Sequence, residues 1–343
     1  MNGLIQSRWL AYLRKGLYLI LPVVILAFIF SRIDVAEFRH NIAKTDLRLA
    51  VFGVVYYPLV ILVGAIRWRF VVMKYLQRPL PMGFMLRHYW VGLALGIFAP
   101  ASVGWDVYRI VVVGRKFGGA ARNLAAILAE KVVALLNIVL MIALLYPLVK
   151  GHITSDTALV ADVVKMALLL LALFSVGAVL LVFARKRHLG QSIQKRGEQF
   201  LQAKMKQVSG VLKRPVTVES GSFSYTSLIA PLAKPGPFLT TLFYCLMIQC
   251  LAAVGTHIFF KAVGYDVPLL VNLFLSPVFF FIFLLPISFG SLGVREGAYI
   301  LLYGLFGVPP EIALLVSFLN LSGLLLNNLM GTVLLWGRDK TEA

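Results

Sequence analysis

The chain has 343 residues, 60% of them hydrophobic, with a mean hydropathy of +0.88 and a formal net charge of +19. Soluble domains are only about 45–50% apolar, so this composition excludes a soluble globular class and predicts an all-α polytopic membrane protein. Lys and Arg collect in the cytoplasmic loops of such proteins. The charge therefore points to anionic lipid headgroups as partners and gives no reason to expect a nucleic acid.

Apolar runs in the first half predict full membrane spans. In chain order they are Gly16–Phe30, Leu47–Ile66, Leu124–Val149 and Val163–Ala184. The loops alternate between charge-balanced segments such as Arg32–Asp46 and basic segments such as Arg67–Arg87. Because basic loops stay in the cytoplasm, this pattern predicts a multi-pass membrane protein with both termini cytoplasmic.

Charged residues border or interrupt two of these spans. The triplet Arg67-Trp68-Arg69 follows a span and is interpreted as an interfacial anchor, with substrate contact as the alternative. Glu130 and Lys131 lie inside a later span, where a charge near the bilayer centre costs about 2.5–3.5 kcal/mol on insertion scales. We predict that Glu130 points into the helix bundle and pairs with an arginine. The alternative is an interfacial Glu130 beside a snorkelling Lys131.

A shorter apolar run, Tyr89–Val103, is basic on both sides. At about 15 residues, it falls short of the roughly 20 that a helix needs to cross a bilayer. The run predicts a re-entrant hairpin over Tyr89–Val113, with its tip at Pro100–Gly104, that enters and leaves the membrane on the cytoplasmic side.

A long polar segment, residues 185–237, carries ten basic and two acidic side chains. We interpret it as a cytoplasmic linker between a first half, 1–184, and a second half, 238–343, of a single transmembrane domain (1–343). The second half contains, in order, a span at Phe238–Val263, a broken element at Leu269–Leu305 and a last span at Glu311–Trp336.

Two matching motifs indicate that the halves repeat each other. The first motif is Pro100-x-Ser102-x-Gly104 followed by Arg109, and the second is Pro286-x-Ser288-x-Gly290 followed by Arg295. The spacing from the proline to the arginine is the same in both. Paired Gly/Pro-interrupted apolar segments are typical of a transporter's binding site. A second hairpin that enters from outside would make the repeat an inverted one. The predicted fold then has about six full spans plus two broken, re-entrant hairpins, or up to about eight transmembrane segments.

At these residues the chain resembles the lysylphosphatidylglycerol synthase transmembrane, or flippase-like, family. The resemblance is carried by Pro286-x-Ser288-x-Gly290-x-x-Gly293-Val294-Arg295-Glu296-Gly297 and supported by Arg67-Trp68-Arg69, Pro100…Gly104-x-Asp106…Arg109 and Glu130-Lys131. Trp105 and Lys131 depart from the family pattern, which usually has glycine and arginine there. The resemblance implies location in a prokaryotic inner membrane and movement of an amphipathic lipid between leaflets. No segment is large enough for the synthase domain of the bifunctional members, so a stand-alone translocator is expected.

We therefore predict a membrane lipid translocase that moves an anionic or phosphate-bearing lipid through a polar cavity between the two hairpins. The predicted substrate-binding residues are Arg109, Arg295, Glu296, Asp106, Glu130, Ser102 and Ser288, and the predicted hairpin-tip residues are Pro100, Gly104, Pro286, Gly290 and Gly293. Arginine suits phosphate because its planar fork binds two oxygens at once. Arg295 is expected to tolerate lysine less well than Arg109, because it lies away from the basic face.

Other functions make different demands on the sequence. No nucleotide-binding loop of the G-x-x-x-x-G-K-[ST] type is evident, and we predict no catalytic residue, metal site or cofactor. The alternative function is a membrane glycosyltransferase that uses a polyprenyl-phosphate sugar, or a non-transporting accessory subunit of one. A lipid-modifying enzyme is a candidate partner.

Overall fold

The computed structural model describes residues 22–96, 103–153, 231–232, 234–284 and 291–336, together with position 169. Regular secondary structure in these ranges is entirely helical, which confirms the predicted all-α class. The helices with defined bounds are α1 (Pro22–Arg32), α2 (Val35–Lys44), α3 (Leu47–Leu76), α4 (Met82–Gly96), α5 (Val103–Phe117), α6 (Ala120–Val149), α7 (Pro235–Ala262), α8 (Leu269–Leu284), α9 (Val294–Gly304) and α10 (Pro310–Trp336). A single 3-10 turn, Lys150–His152, follows α6.

Four helices, α3, α6, α7 and α10, are long and apolar enough to cross a membrane. They contain 27 to 30 residues, which gives about 40 Å or more at 1.5 Å per residue, against a hydrocarbon core of about 30 Å. Four of the predicted spans therefore coincide with helices that are long and apolar enough to cross a membrane. The predicted span Val163–Ala184 lies outside the described residues apart from Leu169, and only the part of Gly16–Phe30 from Pro22 onward is described, within α1.

Helices α4 and α5 form the first hairpin. Each has 15 residues, or about 22 Å, which is too short to cross the core. The helices run antiparallel: the His88 Nδ1 and Tyr108 Oη atoms lie 2.7 Å apart, and the Phe84 and Phe117 rings are 5.0 Å apart between centroids.

The predicted bounds of this hairpin, Tyr89–Val113, are too narrow at both ends. Helix α4 begins at Met82 and α5 continues to Phe117. Arg87 and His88 do not end the helix, because each side chain has a polar partner within the bundle. The Arg87 Nη2 atom donates to the Leu334 carbonyl at 3.1 Å, and His88 bonds across the hairpin.

Helices α8 and α9 form the second hairpin, so the predicted break within Leu269–Leu305 is present. Helix α8 has 16 residues and ends at Leu284, and α9 begins at Val294. The Tyr303 hydroxyl of α9 donates to the Asn272 Oδ1 atom of α8 at 2.6 Å. This bond joins the end of α9 to the start of α8, as an antiparallel hairpin requires.

The two hairpins approach from opposite ends of the bundle. At the end we call the acidic end, the Asp34 backbone N–H donates to Glu311 Oε1 at 3.2 Å and the Asp46 N–H donates to the Ala262 carbonyl at 2.7 Å. Helix α8 leaves from this end and α9 returns to it. The first hairpin opens at the other, basic end, because α3 arrives there before α4 begins, and α6 leaves from there after α5.

The packing of the eight helices α3 to α10 has an internal symmetry. Helix α3 packs along α7, α4 packs against α10, and α8 packs against α6. Exchanging α3 with α7, α4 with α8, α5 with α9 and α6 with α10 leaves the α3–α7 pair unchanged and converts the α4–α10 pair into the α8–α6 pair. The same exchange converts the α3–α10 pair into the α7–α6 pair. An inverted repeat predicts this packing, and the repeat itself stays a prediction.

A labelling experiment tests the two ends. In a background without Cys245 and Cys250, single cysteines at Glu37 and at Asp266, both exposed near the acidic end, should react with an impermeant thiol reagent in intact cells. Cysteines at Arg78 and Lys116, both exposed at the basic end, should react only after permeabilisation, since basic loops stay cytoplasmic. Reaction at position 116 in intact cells would contradict the first-hairpin orientation.

Candidate functional site

Five charged side chains from three helices form one group, which we call the charge cluster: Arg67 of α3, Asp106 and Arg109 of α5, and Glu130 and Lys131 of α6. The Glu130 Oε1 atom lies 2.7 Å from Arg67 Nη2 and 3.6 Å from Arg109 Nη1. Asp106 accepts from Arg109 Nη2 at 2.5 Å through Oδ1, and its Oδ2 atom lies 2.7 Å from Lys131 Nζ. The predicted pairing of an inward-facing Glu130 with arginine is confirmed.

Three aromatic rings surround the central arginine of the cluster. The Arg109 residue is 2% exposed, and its guanidinium carbon lies 4.6, 5.4 and 5.7 Å from the ring centroids of Trp105, Trp68 and Tyr89. A desolvated cation over an aromatic face gains about 2 kcal/mol. These rings keep the guanidinium away from lipid and hold its orientation.

The local sequence explains how these groups meet. Asp106 and Arg109 are three residues apart and therefore share a face of α5. Neighbours on a helix point about 100° apart, so Glu130 turns into the bundle while Lys131 lies at its edge, with 39% of its side chain exposed. Asn123 of α6 donates to the Arg109 carbonyl at 2.9 Å, which fixes α5 against α6.

The interpretation of Arg67-Trp68-Arg69 as an interfacial anchor is wrong. Trp68 is fully buried, and Arg67 reaches both Glu130 and, at 3.2 Å, the Cys245 Sγ atom. Only Arg69 points toward the basic end, where its Nε atom donates to the Leu80 carbonyl at 2.7 Å. Because α3 continues to Leu76 instead of ending near Ile66, the triplet lies inside the bundle.

Arg67 and Trp68 thus lie at the charge cluster, although the sequence analysis favoured an interfacial anchor and kept substrate contact only as the alternative. Helix α3 continues past the triplet through Phe70, Val71 and Val72, which are apolar. These apolar residues after the triplet were the signal in the sequence that the helix, and with it the bundle interior, extends beyond Arg69.

The second hairpin holds the other predicted arginine in a different setting. Arg295 is 8% exposed, and its guanidinium carbon lies 5.5 Å from the Phe283 ring centroid. Glu296 is fully buried, and its Oε2 atom accepts from the Gly293 backbone N–H at 2.6 Å, which caps the start of α9. Among the described residues, no ion pair joins Arg295 to a carboxylate.

The two predicted arginines are not brought together. Arg109 lies over the rings of α3, α4 and α5, those of Trp68, Tyr89 and Trp105, whereas Arg295 lies over the ring of Phe283 on α8. Among the described residues, no hydrogen bond, ion pair or ring contact joins the groups around one arginine to the other arginine. Asp106, Arg109 and Glu130 therefore form one site, and Arg295 and Glu296 lie in a second region.

Equal spacing from proline does not give the arginines equal positions. Arg109 lies in the second turn of α5, and Arg295 is the second residue of α9. Gly104 lies in the first turn of α5, whereas Gly293 precedes α9 with a φ of +77°, which favours glycine. The remaining predicted residues, Pro100, Ser102, Pro286, Ser288 and Gly290, lie outside the described residues.

A close approach within the first hairpin gives a test of the site's packing. A Cβ atom on Gly92 would lie 2.6 Å from the Trp105 Cδ1 atom, whereas one on Gly83, in the same helix, would meet nothing within 4 Å. Gly92→Ala should displace the Trp105 indole and lower the melting temperature, at a cost of about 1–3 kcal/mol. Gly83→Ala is the matched control and should stabilise α4 slightly. Equal melting temperatures for the two variants would contradict this packing.

Metal chemistry has no candidate here: the described residues contain no group of three or more His, Cys, Asp or Glu side chains that could hold a metal ion.

The chain was compared with known protein families and known proteins. Residues 16–320 match the family model described as "Lysylphosphatidylglycerol synthase TM region". Neither the curated proteins nor the solved structures give a match. The match covers most of the chain, including both hairpins and the whole charge cluster. The chain therefore belongs to the lysylphosphatidylglycerol synthase transmembrane family, as its motifs predict.

Proposed function

We propose that this protein is a lipid translocase that moves an anionic, phosphate-bearing lipid between the two leaflets. The observation that carries the proposal is the charge cluster, which places five ionisable side chains, four of them no more than 14% exposed, between the first hairpin and two membrane spans. Ionisable groups inside a membrane protein are costly and usually mark a substrate or ion path. Family membership supports a membrane protein of lipid-related function.

The two half-length hairpins support translocation in particular. Helix ends inside the hydrocarbon core leave backbone groups that need a partner in protein or in a wet cavity. Hairpins that enter from opposite ends supply such groups from both sides, which is the arrangement of transporters with inverted repeats. A headgroup path between them would be polar, while the acyl chains stay in lipid.

The two arginines then have successive roles in the proposed cycle. Arg109 holds the phosphate when the path opens to one leaflet and returns to Asp106 and Glu130 when the lipid has left. Arg295 serves the path from the other hairpin. Counter-ions beside Arg109 reduce the cost of the unloaded state, because an unpaired buried guanidinium is strongly destabilising.

A vesicle assay tests the proposal. The full chain is reconstituted with a trace of fluorescent phosphatidylglycerol, and a membrane-impermeant quencher measures how fast inner-leaflet lipid reaches the outside. The protein should accelerate this exchange, and Arg109→Leu should abolish the acceleration. Arg39→Leu is the matched control, because Arg39 is exposed on α2 and makes no ion pair among the described residues. A wild-type rate equal to that of empty vesicles would refute the proposal.

A further inference from the structure

Glu296, at the start of α9, is a buried carboxylate with one unused oxygen. The residue is fully buried, and its Oε2 atom accepts from the Gly293 backbone N–H at 2.6 Å. Its Oε1 atom is buried without a hydrogen-bond partner. A helix cap uses only one of the two oxygens, and a buried polar atom normally has a partner, so capping leaves the second oxygen unexplained.

The neighbouring cation does not pair with this carboxylate. Adjacent residues on a helix point about 100° apart, and the guanidinium carbon of Arg295 lies 5.5 Å from the Phe283 ring centroid. In the described part of the chain, no ion pair joins Arg295 to Glu296, whereas Glu130 has Arg67 at 2.7 Å. A charge that is buried without a partner is costly and is relieved by neutralisation. A proton on Oε1 would neutralise Glu296.

The helices packed around the start of α9 bring few other titratable groups to Glu296. Helix α8 contains no charged residue, and the charged side chains of α1 and α10 lie at the acidic end, namely Arg32 and Glu311. Tyr299 interacts electrostatically with Glu296, Arg295 and Tyr57 of α3. The groups that respond to a proton on Glu296 are therefore one arginine and two tyrosines.

A polar stripe leads from this carboxylate to the acidic end. Glu296, Tyr299 and Tyr303 are three and four residues apart, so they share one face of α9, and both tyrosines are no more than 4% exposed. The Tyr303 hydroxyl donates to Asn272 Oδ1 at 2.6 Å, and Asn272 Nδ2 lies 3.3 Å from Nδ1 of the partly exposed His257. Hydroxyl and imidazole groups both donate and accept, so the stripe offers a proton a route inward.

We propose that Glu296 carries a proton and couples lipid translocation to a proton gradient. The inference rests on the proposed function and adds its energy source. A proton enters from the acidic end along the tyrosines of α9, forms an O–H bond at Glu296 Oε1 and leaves when the path opens to the basic end. While Glu296 is neutral, the charge of Arg295 is uncompensated and attracts an anionic headgroup. When the proton leaves, Glu296 compensates that charge again and the headgroup is released.

A gradient across vesicles tests the coupling. The full chain is reconstituted with a trace of fluorescent phosphatidylglycerol, and a gradient of about one pH unit is imposed at zero membrane potential. Labelled lipid should accumulate up to about tenfold in the leaflet on the alkaline side, because one proton accompanies each lipid. Empty vesicles under the same gradient give the background. Wild-type protein that exchanges lipid without accumulation above this background, or with accumulation on the acidic side, overturns the inference.

Two matched variants identify the carrier. Glu296→Gln should abolish the accumulation, because glutamine can still cap the helix but cannot carry the proton. Glu311→Gln is the control: Glu311 is also buried, and its Oε1 atom accepts from the Asp34 backbone N–H at 3.2 Å. It should accumulate lipid like the wild type. Wild-type accumulation in Glu296→Gln would overturn the inference.

A third variant tests the route along α9. Tyr303→Phe keeps the ring, which packs 4.7 Å from the Phe260 ring between centroids, and removes the hydroxyl. Accumulation should reach the same final ratio more slowly. Tyr146→Phe, whose ring packs against Phe274 of α8, is the control and should keep the wild-type rate. A wild-type rate for Tyr303→Phe would overturn entry by this route.

Infrared difference spectra detect the proton without lipid movement. Between about pH 5 and pH 8, the full chain in micelles should gain and lose the carbonyl band of a protonated carboxyl group. Glu296→Gln should remove this band and Glu311→Gln should retain it. No such band in the wild type would overturn the inference.

Failure of this inference is distinguishable from failure of the proposed function. Lipid exchange that ignores the gradient overturns the coupling and leaves translocation standing. The Glu296 band without any lipid exchange refutes the proposed function, and the coupling with it, and leaves a proton-binding carboxylate.

Discussion

Replacing Glu130 by alanine should lower the free energy of unfolding by about 3–5 kcal/mol, because it removes the shared partner of two buried arginines. Glu130 is 3% exposed, and its Oε1 atom lies 2.7 Å from Arg67 and 3.6 Å from Arg109. Without it, Arg67 keeps, among the residues that the structure describes, only the Cys245 thiol as a hydrogen-bond partner, and a thiol is a weak acceptor. The loss is therefore much larger than that of a surface ion pair.

The measurement is reversible unfolding of the full chain in mixed micelles. The matched control is Asp266→Ala, which likewise removes a carboxylate from an ion pair, here with Lys261 at 2.5 Å, but at an exposed site. The hydrogen bond from Lys261 lowers the pKa of Asp266, yet solvent screens an exposed pair, so this variant should unfold like the wild type. An equal effect of the two substitutions would contradict a buried role for Glu130.

A double variant separates lost pairing from lost packing. Arg67→Met removes one of the stranded cations, and with Glu130→Leu it replaces a buried ion pair by apolar side chains of similar size. Such replacements are often neutral or stabilising, so the double variant should regain part of the stability lost by Glu130→Ala. No recovery would mean that the side chains around Arg67 depend on its charge.

Much of the fold could be predicted because a bilayer leaves few options. Long apolar runs become spans, and a short apolar run with basic flanks becomes a hairpin, as at Tyr89. The end of α3 could not be predicted in this way. An arginine such as Arg67 at the end of an apolar run predicts the membrane surface, unless a buried partner for its charge is known. That partner, Glu130, lies on α6. A single sequence can predict that Glu130 has an arginine partner, but it carries no signal of which arginine that is.

The charged residues of the site could be predicted, because they stand out from an apolar run, but the aromatic residues that pack against them could not. Asp106, Arg109 and Glu130 were singled out as charges in apolar surroundings, and the structure brings them together. Trp68 and Trp105 were not, because an aromatic residue in a membrane helix is ordinary until a cation lies over it. The repeat motif predicts equal roles for the two arginines, but their helices begin at different distances from the proline.

Arg109→Lys should slow lipid exchange in vesicles about tenfold or more, since hydrogen bonds to charged groups contribute about 1.5–3 kcal/mol each and lysine lacks the planar fork. The lysine ammonium also loses the stacking of a planar guanidinium on three rings. A lysine keeps the charge, so Asp106 and Glu130 retain a counter-ion and the chain should still insert and fold.

Arg295→Lys should have the smaller effect, the reverse of the order that the sequence predicts. Among the described residues, Arg295 lies over one ring, that of Phe283, and pairs with no carboxylate, so a lysine there loses fewer interactions. The vesicle rates of both variants are compared with that of Arg39→Lys, and their melting temperatures are measured in the same detergent. A wild-type rate for Arg109→Lys would make this arginine a structural charge, since only a phosphate-binding role requires the fork. A larger loss of lipid-exchange rate in Arg295→Lys than in Arg109→Lys would indicate that the phosphate binds at the second hairpin.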